Sequence, residues 1–198
     1  MKKYTLEDME NFEWDNYGRL ICPSGDYTEI SRFGAGCSFG EECIFGEGFR
    51  FGERCSFGAG CRFGGWCSFG ERCRFGGECR FGAGCSFGGW CSFGERCSFG
   101  WWCRFGEGCS FGAGCSCENG RVFKAVVSFE GAGRERRKTY CFLLEDNTIF
   151  VRCGCFSGTE SAFIEKVHKT HAGTPHEDVY LSFFDAAKKA LQVIAKGR

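Results

Sequence analysis

From residue 33 onward, apolar and polar positions follow a six-residue rhythm. Phe-Gly recurs from Phe33-Gly34 to Phe111-Gly112, fourteen times in all. A Cys stands four residues after each Phe, from Cys37 to Cys115, with Phe49 as the exception. At Cys117 a Cys takes the Phe position and the register ends. A period of six smears Phe around every side of a helix but is a multiple of the two-residue strand repeat. In Cys-x-Phe the Cys and Phe share one side and the middle residue takes the other. The two residues left over, such as AG, GW or ER, form a corner. The Gly after Phe is expected to help the turn by tolerating positive φ. Each hexapeptide therefore predicts one short strand and one bend. Strands this short need neighbours, so the pattern predicts a mainly β, parallel solenoid with Phe and Cys inside.

The flanks read differently. Residues 1–32 are expected to cap the coils, with a short helix over 5–12 whose N-cap is Thr5, then turn, strand and turn over 15–27. Residues 33–117 form the solenoid. Residues 118–198 predict a small α+β domain with three strands, 122–129, 139–145 and 148–156, the last two joined at Asp146-Asn147. Two helices follow, 159–171 with Thr159 as N-cap and 176–196.

Hexapeptides such as FGERCS (51–56) and FGEGCS (105–110) resemble the repeat of the left-handed parallel β-helix. That resemblance implies three hexapeptides per coil and between four and five coils. The residues alone also admit coils of twelve or twenty-four. Many proteins of that fold are acyltransferases, and some are zinc hydratases, both relying on His in or beside the coils. Residues 33–117 contain no His and no inserted loop, so an enzyme is not expected. Across nearly the whole chain, MKKYTLEDMENFE, the FGxxCS/R run and TIFVRCGCFSGTESAFIEKVHKTH look similar to uncharacterised proteins of tailed phages and prophages. This implies expression in the host cytoplasm. It also implies a binding or scaffold protein acting on a host or phage macromolecule, including as an inhibitor of a defence protein.

Composition sharpens this picture. The chain has 24 Phe, 18 Cys and 32 Gly, and its 25 Lys and Arg equal its 25 Asp and Glu. Neutrality argues against bulk attraction to nucleic acid or anionic membrane. No apolar run has the length of a membrane span or a signal peptide, so a reducing cytoplasm and free thiols are expected. The C-x5-C spacing differs from the C-x2-C pairs of metal sites, and no cofactor is expected. Outward strand positions hold Ser or Arg, and corners hold Glu-Arg pairs and Trp. Trp66, Trp90, Trp101 and Trp102, with Arg62 and Arg80, are the expected protein-contact surface. The alternative is nucleic-acid contact through the Arg ladders and the run Arg134, Arg136, Arg137 and Lys138. Cys153, Cys155, His168 and His171 would allow zinc if the helix packed on a strand presenting both thiols on one face. A homo-oligomer is compatible with all of this.

Overall fold

The computed structural model describes residues 1–117, 120–130 and 138–196. The chain divides into two compact units, Met1–Arg121 and Val122–Arg198. Among the described residues no helix is long and apolar enough to cross a membrane.

The first unit is a parallel β-solenoid of about five turns. Each strand is two residues long and pairs with the strand eighteen residues on, as Phe57 does with Phe75 and Phe63 with Phe81. Three hexapeptides thus make one coil, and the strands fall on three faces. The first face runs through Ser38–Phe39, Ser56–Phe57, Arg74–Phe75, Ser92–Phe93 and Ser110–Phe111. The second runs through Ile44–Phe45, Arg62–Phe63, Arg80–Phe81, Ser98–Phe99 and Ser116–Cys117. The third runs through Arg32–Phe33, Arg50–Phe51, Ser68–Phe69, Ser86–Phe87 and Arg104–Phe105.

Phe rings form three columns. Along a column they stack face to face, as Phe51 on Phe69 at 4.9 Å and 3°. Between columns of one coil they meet edge to face, as Phe51 and Phe57 at 4.9 Å and 86°. Both arrangements suit the ring quadrupole. Phe49, in a Cys position, is buried and stacks on Phe51 at 4.9 Å.

The glycine after each Phe has a role other than the one expected. It does not adopt positive φ. A Cβ on Gly70 would sit 2.5 Å from the backbone N of Glu53, and one on Gly82 would sit 2.5 Å from that of Gly65. Successive coils approach too closely at this position for any side chain. Left-handed φ belongs instead to the second corner residue. Glycine occupies it at six corners between 36 and 114, but Glu42, Arg54, Trp66, Arg72, Glu78, Trp90, Arg96 and Trp102 hold the same conformation at φ 55 to 60. That conformation costs a non-glycine residue roughly 1–2 kcal/mol.

The thiols are polar partners as well as filler. Cys73 donates to the carbonyl of Gly52 at 3.4 Å, Cys79 to that of Gly58 at 3.4 Å, and Cys97 to that of Gly76 at 3.3 Å. Each such carbonyl belongs to the Phe-Gly step of the coil before, at the mouth of a corner. A buried carbonyl needs a donor, and a thiol supplies one in little volume.

Upstream, Leu6–Met9 form a helical turn with Thr5 in a capping box with Asp8. Ile21–Cys22 already pair with Ser38–Phe39, a step of seventeen residues that hides the motif upstream of 33. Tyr27 stacks on Phe45 at 5.4 Å and Tyr4 on Tyr27 at 5.1 Å, which ends that column with aromatic rings.

The second unit is an antiparallel sheet of Arg121–Phe129, Thr139–Leu144, Ile149–Cys153 and Phe156–Thr159, in that order. It carries helices Glu160–His171 and Pro175–Lys196. The expected third strand over 148–156 is two strands, giving four instead of three. Gly154, at φ 58, lets the chain reverse between them. The core gathers Ala125, Cys141, Leu143, Val151, Phe163, Phe184 and Leu191. Burial pushes the Cys141 thiol up to about 12. Thr159 caps the first helix by accepting from the Ala162 N–H at 3.3 Å.

Candidate nucleic-acid interface

An eighteen-residue coil sorts the solenoid's charges by side, which its neutral total conceals. The edge between the second and third faces carries Glu47-Gly48, Gly65-Trp66, Ala83-Gly84 and Trp101-Trp102. From residue 32 to 117, it and its two adjoining faces bear five arginines, Arg32, Arg50, Arg62, Arg80 and Arg104, and one glutamate, Glu47; at the end of the second face Asp26 bridges Ile44, with Lys3 beside it. The first face and the other two edges bear four arginines, Arg54, Arg72, Arg74 and Arg96, and seven glutamates, Glu41, Glu42, Glu53, Glu71, Glu78, Glu95 and Glu107.

The five arginines on the basic side are exposed, and among the described residues none of them forms a salt bridge. Glu42 and Glu78 border Arg62 and Arg80 at the far rim of the second face. There Arg96 lies 3.5 Å from Glu78 and partly neutralises it.

Three of the four corner tryptophans stand on this edge. Trp66 lies flat on the next coil: a Cβ at Gly84 would meet its Cε3 at 2.5 Å. The ring nevertheless remains 61% exposed. One ring face therefore seals backbone while the other is open to a partner. Trp102 is 55% exposed and Trp101 39%, their ring centroids 6.4 Å apart. Trp90 repeats the arrangement over Gly108, also 61% exposed, but on the edge between the third and first faces, beside Arg72 and Arg74.

The remaining predicted residues do not assemble into a site. Arg134, Arg136 and Arg137 lie outside the described residues. Lys138 lies 3.5 Å from Glu130 and 5.6 Å from the Tyr140 ring centre. Cys153 and Cys155 fall on either side of the Gly154 reversal instead of on one strand face. Cys153 accepts a hydrogen bond from Thr139 Oγ1 at 3.1 Å, and Cys155 is exposed. His168 Nδ1 lies 2.6 Å from Glu177, and His171 stacks on Tyr180 at 5.2 Å. Among the described residues no group of three or more His, Cys, Asp or Glu could hold a metal ion. The second unit also has an open groove of about 930 Å³, lined by Leu143, Ile149, Ile164 and Leu191 beside the Glu160–Lys188 pair.

Of the residues on this side, the sequence singles out Trp66, Trp101, Trp102, Arg62 and Arg80 as an expected protein-contact surface and reads Arg50 only as an outward strand position. That Arg32, Arg50 and Arg104 share a side emerges only once the coil length is fixed.

The model of a family described as RNA-binding, Nab2-type zinc fingers matches residues 32–46, 50–64, 61–76, 73–88, 85–100 and 102–116, less than half of the chain. No curated protein and no solved structure matches. The family implies zinc, and the matched residues do not fit it. They include no His, and their thiols, buried except for the half-buried Cys109, donate to glycine carbonyls, as Cys61 does to Gly40 at 3.4 Å. The match hints at nucleic-acid binding.

Proposed function

We propose that this chain is a non-enzymatic nucleic-acid-binding protein whose interface is the edge between the second and third faces, together with those faces. The observation that carries the reading is the separation of charge: between residues 32 and 117, five arginines that form no salt bridge among the described residues stand against one glutamate where the tryptophans cluster. A basic stripe with interleaved aromatic rings is the footprint of such proteins. The RNA-binding family match points the same way. The coils contain no His, and their thiols are engaged with glycine carbonyls, so the reading assigns them a binding role and not a catalytic one.

The test is fluorescence anisotropy with labelled RNA and DNA at low salt. Binding is expected, with log Kd rising linearly with log salt at a slope of about 0.7 per phosphate neutralised on a single strand. No binding to any nucleic acid at 50 mM salt would refute the reading.

A protein target, such as a host defence protein, is the second reading. Trp and Arg together are also the composition of protein-binding hot spots; the expected resemblance to phage and prophage proteins finds no support among the comparisons. This second reading predicts specific capture of one protein through the same edge, insensitive to nuclease treatment.

A further inference from the structure

We infer that the ligand of this edge is a single strand whose bases stack on Trp66 and Trp102. The inference rests on the nucleic-acid reading above and narrows it to a ligand class and to named contacts. Trp66 presents an indole face that is fixed from beneath by Gly84 and open outward, which is the form of a stacking platform. Trp102 occupies the same corner position two coils away, with the same left-handed φ, 59 against 60. At the ~4.8 Å spacing of neighbouring strands, the two tryptophan positions stand about 10 Å apart; Trp66 alone is seated on a glycine, since a Cβ at Gly120 would meet nothing within 4 Å.

Arg62 and Arg80 lie on successive coils of the second face, and Arg104 follows Trp102 by two residues on the third. A strand passing along the edge therefore meets cations on both sides of its bases. Duplex is disfavoured by shape. Reading a groove needs a helix or ribbon that enters it, and the corners here are two residues long. In a duplex the faces of the bases are already stacked on one another, so these rings have nothing to receive. In a single strand they are free.

The backbone also supplies a clean variant. At φ near 60, glycine is the residue the corner conformation prefers, so Trp66→Gly with Trp102→Gly removes both rings without disturbing the turn. Trp90→Gly is the control: the same exposure and the same seat on a glycine, but on another edge.

The experiment is anisotropy and tryptophan quenching with three labelled probes: a twelve-nucleotide uridylate, an abasic strand of the same length, and a duplex of the same length. Melting curves confirm that each variant folds. We expect the uridylate to quench tryptophan and to bind at least about tenfold tighter than the abasic strand. The double Trp variant should lose that preference, and Trp90→Gly should keep it. Equal affinity for abasic strand and uridylate, equal affinity for duplex, or a preference that survives the double variant would overturn the stacking proposal while leaving nucleic-acid binding in place. Failure of all three probes to bind would overturn both.

Discussion

At the scale of the residue, each position of the hexapeptide answers one physical demand. Phe fills the interior and stacks in two directions. Phe69 is flanked by Phe51 and Phe87 in its column, both at 4.9 Å. Phe69→Ala is expected to cost about 3–5 kcal/mol, read as a lowered midpoint in denaturant melts. The glycine after Phe is there for the close approach of coils. Gly70→Ala should therefore cost about 1–3 kcal/mol, whereas Gly34→Ala, with nothing within 4 Å, should be nearly neutral. Had the turn been the reason for glycine, the two would cost the same. The thiols are held as donors in a dry interior. The interaction with the neighbouring Cys103 thiol, partly offset by that with Cys67, together with burial, pushes the Cys85 thiol up to about 12. In native protein a thiol reagent should label Cys155 promptly, reach Cys153 and Cys109 slowly, and find the buried thiols only after unfolding. Prompt labelling of many thiols would contradict a closed core.

At the scale of the element, the sequence made the strands, the corners and the principal caps legible, because period and composition agree there. Thr5 and Thr159 cap the helices that their side chains predict. What escaped was the backbone conformation that one coil's contact with the next imposes. The left-handed corners are an example. Tryptophan at positive φ looks unfavourable in isolation and becomes intelligible only with Gly84 beneath Trp66. Gly84→Ala should displace that ring, shift the tryptophan emission and cost about 1–3 kcal/mol. The same change in a Trp66→Gly background should lose the steric part of that cost, and a double-mutant cycle measures the coupling. The reversal at Gly154 was also missed. A β-rich run with two Cys reads as one continuous strand until a glycine in its middle is given its φ.

At the scale of the whole molecule, a net charge of zero was the most misleading number in the sequence, because neutrality in a chain says nothing about neutrality on a side. Eighteen residues per coil place Arg32, Arg50 and Arg104 in one column and Arg62 and Arg80 in the next, and leave most glutamates elsewhere. The same coil length separates the Cys repeat from any metal site, since its thiols turn inward to carbonyls. Protein purified without chelator should contain no stoichiometric zinc by elemental analysis, and a chelator should leave its melting unchanged.

The central claim is that one side of a neutral solenoid is an interface for nucleic acid, and moving charge between sides tests it most directly. Affinity for a labelled single-stranded RNA would be measured for Arg62→Glu with Arg80→Glu, and separately for Arg54→Glu with Arg72→Glu, which changes net charge equally on another edge. The account predicts a loss of about tenfold or more for the first pair and a change within about twofold for the second. Equal losses from both pairs would contradict it.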